Sequence, residues 1–317
     1  MKPTWTSYTT RARVLRRLCS CLLLLLLLPS PARAGISLTD ATGTTVRLDG
    51  PARRIVTLYA GFDDILAALG RADRIVARTK TEAALPALDK LPTVGTHLRP
   101  NLELVMGARP DLVLQLGGRE AALAEVQELR RHGLSVVVLR MNSFDELFDA
   151  YRALGELTGA EDAAEEAVSG MQARLARVAE AVAGRPEPSV FFEVRYPPLL
   201  AAGAGSMAGE IVRRAGGRNC PADRRNHVPL GLEALLALQP EAYVVQKGPM
   251  NPEPQPPAER DQFSELSAVK NGRVLTVDER RFSRPGPGNV QAVEELAAFL
   301  HPECAAALTD GTGEVKQ

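Results

Sequence analysis

A leucine-glutamate pair, six residues, then proline and an acid occurs twice in this chain. The first copy runs from Leu102-Glu103 to Pro110-Asp111. The second runs from Leu232-Glu233 to Pro240-Glu241, 130 residues later. Each leads into an apolar stretch, Leu112-Val113-Leu114 in one and Tyr243-Val244-Val245 in the other. That order spells a short helix, a proline break and a buried strand. A supersecondary unit repeated at such an interval implies two similar lobes. Two lobes leave a cleft, and clefts at domain boundaries are where small ligands bind.

The first 34 of the 317 residues read as a leader rather than as part of this fold. Lys2, Arg11, Arg13, Arg16 and Arg17 form a basic start without an acid. Leu22 to Leu28 is an unbroken leucine run, Pro29 ends it, and Ala32-Arg33-Ala34 is a small-x-small cleavage site. The run is too short for a stable bilayer anchor. Cys19 and Cys21 precede it, where a lipid-bearing cysteine would follow it. The chain has 38 basic and 38 acidic residues; with Arg33 the leader takes six of the bases and no acid. The secreted remainder is therefore acidic, a poor partner for nucleic acid. It keeps Cys220 and Cys304. An even count in an oxidising compartment favours a disulfide, with two buried free thiols as the alternative.

Strand and helix patterns alternate through the first half. Ile36–Asp40 and Thr44–Leu48 read as a hairpin. Ile55–Leu58 is a strand, and Phe62, Ile65, Leu66 and Leu69 recur at helical spacing. Further strands are expected at Arg74–Ala77, Leu112–Leu116 and Val136–Leu139, with a helix from Arg119 to His132. Such alternation means a parallel sheet covered by helices. Ser143 with Glu146 is a capping box that opens a helix. A break near Thr158-Gly159 precedes a second helix long enough to cross between lobes. The second lobe should carry strands at Val190–Val194, Leu199–Ala202 and Val274–Val277, and a last helix from Asn289 to Leu300. The expected fold is thus α/β: two Rossmann-like lobes with parallel central sheets joined by a long helix. Its parts are residues 35–142, 143–185 and 186–304, with a flexible tail over 305–317.

Loops after parallel strands line the ligand crevice in such folds. They carry Tyr59, Lys80, the Gly117-Gly118 turn with Arg119, and Met141-Asn142 in the first lobe. The second lobe offers Arg195-Tyr196, Arg225, His227, Arg281 and Phe282. His97 and Arg99 lie in the irregular stretch before the first repeat. Arginine suits carboxylate, phosphate or catecholate oxygens, although exposed arginine is also the default state of that residue. Two loop histidines are thin support for a bare metal site, and none is assigned. Gly203-x-Gly205-Ser206-x-x-Gly209 sits late in the chain with no following lysine, so Ser206 reads as a helix N-cap rather than part of a phosphate loop. No nucleophile with a partner can be named.

The chain resembles the periplasmic substrate-binding proteins of ABC importers for ferric siderophores, cobalamin and haem. The likeness rests on Arg54-Ile55-Val56-Thr57-Leu58 and on Pro92-Thr93-Val94-Gly95 before Asn101-Leu102-Glu103. It rests also on the two Pro-acid strands, Ala215-Gly216-Gly217-Arg218-Asn219 and Arg284-Pro285-Gly286-Pro287. The resemblance implies a periplasmic receptor, a monomer without intrinsic cofactor. Such a receptor delivers a metal chelate to an inner-membrane ABC permease dimer with its cytoplasmic ATPase. It implies that Glu103 and Glu233 sit on the lobe tips and dock on permease arginines. It adds weight to a Cys220–Cys304 bridge. Tryptophan and other aromatics often line cobalamin and haem clefts, but the one Trp here, Trp5, leaves with the leader. The arginines therefore favour an anionic ferric siderophore, with a corrinoid next and haem third, Tyr59 or His97 serving as axial ligand. The reading from another class is a secreted enzyme acting on a small ligand in the same cleft.

Overall fold

The computed structural model describes residues 35–81, 85–97, 99–118 and 120–309. The leader, Arg119 and residues 310–317 lie outside the described residues. The first lobe opens with the expected hairpin, β1 (Ile36–Thr39) and β2 (Thr45–Leu48). Then come β3 (Ile55–Thr57), α1 (Ala60–Ala68), β4 (Ile75–Arg78) and a small antiparallel pair, β5 (Gly95–Thr96) and β6 (Arg99–Pro100). The first repeat copy follows as α2 (Leu102–Gly107) and β7 (Leu112–Leu116), then α3 (Glu120–Arg131) and β8 (Val136–Leu139). The sheet is parallel throughout, in the order β4-β3-β7-β8.

Side chains alternate across this sheet, so both faces must be covered. Ile55, Leu112, Leu114 and Val137 belong to the large core that includes α1. Val56, Val113, Val136 and Val138 pack on the opposite face with Val126 and Leu129 of α3. The open edge of β8 is blocked by the hairpin turn. Asp40 accepts the Val138 N–H at 2.9 Å and Ala41 donates to the Val138 carbonyl at 2.9 Å. An edge closed this way cannot recruit another strand. Burial pushes the Asp40 carboxyl up. The Thr42 hydroxyl and the N–H groups of Val138, Thr42 and Thr44 outweigh that and hold it below the usual range.

Ser143 caps α4 (Phe144–Thr158), accepting the Glu146 N–H at 3.2 Å. The Glu146 carboxylate reaches back one residue further than a capping box requires, to the Asn142 N–H at 2.8 Å. Gly159 ends the helix in the left-handed conformation at φ 60°. The second helix, α5 (Glu161–Val182), is 22 residues long. Its buried stripe is Ala164, Val168, Met171, Leu175 and Val178, one side chain per turn. That stripe shares one core with first-lobe residues such as Leu66 and Leu139 and second-lobe residues such as Val212 and Leu296. Arg174 of α5 also forks onto Glu294 at 2.8 and 2.5 Å.

The second lobe contains β9 (Ser189–Arg195), β10 (Leu200–Ala202), α6 (Met207–Arg214), β11 (Arg218–Asn219) and β12 (His227–Pro229). The second repeat copy is α7 (Leu232–Leu238) and β13 (Ala242–Lys247). It is followed by α8 (Ser267–Lys270), β14 (Val274–Asp278), α9 (Glu279–Phe282), α10 (Asn289–Leu300) and α11 (Ala305–Thr309). The strands β9, β13 and β14 form the expected parallel core. Beyond it β10 and β12 add antiparallel strands, in the order β12-β10-β9-β13-β14 with β11 beside β9. The expected tail begins as helix α11, whose Leu308 is buried in the main core.

The cysteines are not bridged. Both are free and buried, and the Cys304 thiol lies 3.2 Å from the Ala181 carbonyl, to which it donates. The disulfide expected from cysteine count and resemblance is corrected by this packing. Each thiol has its own buried site, and burial pushes the Cys220 thiol up. No helix among the described residues is long and apolar enough to cross a membrane.

Candidate functional site

The carboxyl ends of the first-lobe strands gather the polar side chains of that lobe. Tyr59 leaves β3 in extended conformation and caps α1. Its ring meets Phe62 and His97 edge-on, at 6.2 and 6.1 Å between centroids. The Lys80 N–H donates to the Gly95 carbonyl at 2.7 Å, so the turn bearing His97 lies beside the end of β4. Lys80, His97 and Arg99 are exposed and Tyr59 is half-buried. Tyr59, His97 and the Lys80 backbone thus come together at the ends of β3 and β4.

A second cluster of expected residues follows β9 in the second lobe. Tyr196 comes directly after Arg195 and packs edge-on against Phe263 at 5.1 Å. The Arg260 guanidinium lies over both rings, at 4.6 Å from Tyr196 and 5.0 Å from Phe263. Arg260 is in turn paired with Glu193 at 2.5 and 2.9 Å, their side chains 1% and 0% exposed. The Tyr243 hydroxyl donates to the same carboxylate at 2.6 Å. A buried ion pair persists only when its hydrogen bonds are this complete. The network fixes the Tyr196 ring from beneath. Arg195 is half-buried, and its Nε has no hydrogen-bond partner. His227 opens β12 opposite Ala202 and is half-buried.

Loops at these strand ends also carry the contacts between lobes. Arg280 of α9 reaches Asp64 of α1 at 2.6 Å. Arg284 lies 3.7 Å from the same carboxylate and donates to the Thr81 hydroxyl at 3.1 Å. Asn226 donates to Asn142 at 3.4 Å. At Gly61 a Cβ would lie 2.5 Å from the Pro285 carbonyl, so glycine permits a close backbone approach of the two lobes. Beside Asp64, Asp63 is buried and accepts the Thr57 hydroxyl at 2.5 Å. Burial pushes its carboxyl up to about 7 against the opposing pull of Thr57 and of the Arg78 and Arg284 charges.

Several sequence expectations are redirected by packing. Phe282 is fully buried and packs on Phe192 at 6.2 Å, so it cannot line a cleft. Arg281 turns to Glu295 of α10 at 2.7 Å, and its neighbour Arg280 makes the interlobe reach instead. Arg225 is exposed and forked onto Asp223 at 2.7 and 3.1 Å. The glycine-rich loop is filled by backbone: a Cβ at Gly203 would lie 1.9 Å from the Arg225 carbonyl, leaving no phosphate cradle. Ser206 caps α6 as read, accepting the Gly209 N–H at 3.0 Å. Asp63 and Asp64 were invisible as site residues because they stand among the apolar positions of α1. The pair itself was the one available signal, since two acids inside an otherwise apolar helix need partners.

A separate open groove of about 1090 Å³ lies at the edge of the first sheet, lined by Thr42, Gly117, Gln127, Arg130 and Arg140 among others. All its lining residues belong to the first lobe, so it is not the interlobe cleft. Among the described residues no three or more His, Cys, Asp or Glu side chains converge where a metal ion could sit.

The two repeat helices form a second feature. From Asn101 to Gly107 and from Gly231 to Ala237 exposure follows the same sequence, position by position. Val105 and Leu235 are the fully buried anchors, while Glu103 and Glu233 are exposed in the first turns. An acid there complements the helix dipole.

Three relatives place this geometry. An uncharacterised ABC transporter substrate-binding lipoprotein of Bacillus subtilis is 30% identical over 274 residues, 84% of this chain and 86% of that one. A vitamin B12-binding protein of Vibrio cholerae is 25% identical over 256 residues, 79% of this chain and 90% of the relative. The crystal structure of the periplasmic vitamin B12-binding protein of Vibrio cholerae superposes with a TM-score of 0.69. It is 23% identical and covers 82% of this chain and 99% of its own. The periplasmic binding protein family matches residues 55–281. With that match, two sheets of related topology and one long connecting helix, the chain belongs to the periplasmic binding protein family.

Proposed function

We propose that this chain is the extracytoplasmic receptor of an ABC importer and that its cargo is a corrinoid. The observation that carries the cargo is the fate of the arginines. An anionic siderophore needs unspent cations in the cleft. Arg225 is forked onto Asp223, Arg281 pairs with Glu295, and Arg280 pairs with Asp64. Beside the exposed Lys80 and Arg99, what the strand ends offer is aromatic and amphipathic: Tyr59, His97, Tyr196 and His227. Such groups suit a large ligand with an apolar face and an amide rim. The vitamin B12-binding relatives support the same direction. Lys80 and the unpartnered Nε of Arg195 keep a ferric siderophore as the second reading.

Transport follows from capture rather than chemistry. The ligand enters between strand ends, the lobes close modestly about α5, and the loaded receptor docks on the permease dimer through Glu103 and Glu233. The leader carries the chain to the periplasm and is removed after Ala34, and the receptor works as a monomer. Titration calorimetry with cyanocobalamin, a ferric hydroxamate and haemin tests the cargo. Tight binding of cyanocobalamin alone is expected, and preference for the hydroxamate overturns the corrinoid reading. Turnover of any of the three would overturn the receptor reading. Glu103→Ala with Glu233→Ala should abolish uptake while leaving ligand affinity unchanged.

A further inference from the structure

Among the described residues two large hydrophobic side chains are exposed, Leu104 at 52% and Leu238 at 37%. A single exposed leucine needs no explanation. These two fall on the two repeat helices, Leu104 directly after Glu103 and Leu238 more than a turn beyond Glu233 at the end of α7. The outward residues of α2 are Glu103, Leu104 and Gly107; those of α7 are Glu233, Ala234, Ala237 and Leu238. Among its own outward residues each helix therefore holds one carboxylate beside uncharged, mostly apolar neighbours, with Arg54 and Arg109 standing beyond the end of α2. An acid exposed for solubility alone would sit among other charges.

The setting matters because an exposed ion pair in water contributes almost nothing to affinity. The same pair becomes strong when neighbouring apolar groups exclude water from it. We infer that Leu104 and Leu238 are binding residues for the permease dimer: each inserts into an apolar recess beside the arginine that meets Glu103 or Glu233. The inference rests on the docking role proposed above for the two glutamates. Charge complementarity selects a basic partner, and the presence of such a face on both lobes selects a partner with two related subunits. The two faces are not identical. Leu104 follows its glutamate directly, where the second lobe has Ala234, and Leu238 stands at the far end of α7, where the first lobe has Ala108. The two permease subunits are therefore gripped at different heights along the helix.

The test uses the full chain and right-side-out membrane vesicles from the source bacterium. Binding of labelled receptor is compared for wild type, L104S/L238S, L104M/L238M and E103A/E233A. Both leucines are exposed, so folding and ligand affinity should be unchanged in every variant. The serine pair is expected to weaken vesicle binding about tenfold to a hundredfold, and the methionine pair to restore it. A photo-crosslinking amino acid at 104 or 238 should capture an integral-membrane permease, identified by mass spectrometry. If the serine pair binds like wild type while the glutamate pair does not, the leucine assignment fails and the docking role stands. If neither pair weakens binding, the docking role fails with it. Crosslinks to a second copy of this chain would overturn the choice of partner.

Discussion

The two lobes repeat one backbone unit and finish it with different side chains. In both, the repeat helix is followed within two residues by a non-glycine residue of positive φ, Arg109 at 48° and Gln239 at 40°. In both, the acid after the proline clamps the start of the lobe's first sheet strand. Asp111 accepts the Arg53 and Arg54 N–H groups at 2.8 and 2.9 Å. Glu241 accepts the Ser189 N–H at 2.8 Å and its hydroxyl at 3.0 Å. Among the carboxylates each lobe buries, Asp63 and Glu193 lie in or near the first strand of the lobe's parallel sheet. The second lobe pairs its Glu193 with Arg260, and the first gives Asp63 only a hydroxyl at close range and more distant charges. The repeated parts build the scaffold and the two outward helices. The parts that differ are the aromatic and charged groups at the strand ends, where the proposed ligand would meet them.

The sharpest way to break this comparison is at the second lobe's ion pair. Glu193→Leu leaves the Arg260 charge buried without its partner and should cost about 3–5 kcal/mol in urea unfolding. Adding Arg260→Met should recover much of that stability but release Tyr196, so ligand affinity stays reduced. Full recovery of affinity in the double variant would deny Arg260 its bracing role.

The first lobe's Asp63 should make stability depend on pH in the opposite sense to an ordinary paired carboxylate. Unfolded, an aspartate titrates near 3.9; folded, this one titrates near 7. Between those values the folded state holds a proton that the unfolded state has lost. Stability is thus fully present below about pH 4, falls as pH rises, and is lowest above about pH 7. The cost has an upper bound of about 1.4 kcal/mol for each pH unit separating the two titrations. Asp63→Asn should flatten that profile in thermal melts, and an unchanged profile would sink the assignment.

The two clamps should differ least. Ser189 is buried, so Glu241→Ala strands an N–H away from water and should cost about 1–3 kcal/mol. Arg53 and Arg54 are exposed, so water replaces Asp111 and Asp111→Ala should cost about 0.5–1.5 kcal/mol. Equal losses in chemical denaturation would mean that the repeat is energetically as well as geometrically symmetric.

Much of the fold was legible in the chain, and for local reasons. The strands Leu112–Leu116 and Val136–Leu139 and the helix Asn289–Leu300 have the expected limits, because apolar runs end there at glycine, proline or a polar cap. The 22-residue α5 matches the expected crossing helix. Strand β10 was expected at Leu199–Ala202 and is one residue shorter, whereas β12 was not read, since three residues are too few for a period. Among site residues, Tyr59 and His97 meet as neighbours although 38 positions separate them. Phe282 and Arg281 went the other way: a one-turn helix within a proline-arginine loop rotated one into the core and the other toward α10. The cysteine count suggested a bridge, and the separate packing of Cys220 and Cys304 denied it.

By itself, the sequence determined the number of lobes, the helix that joins them and the pair of acids on their outer helices. Those follow from periodicity, breakers and repetition, which act over a few residues and survive almost any tertiary arrangement. Only the tertiary structure decided which arginine spans the lobes, which is spent on a neighbour, and which aromatic ring goes into the core. Such choices depend on the rotation of short loops about the ends of strands, where one residue's turn exchanges a cleft wall for a core contact.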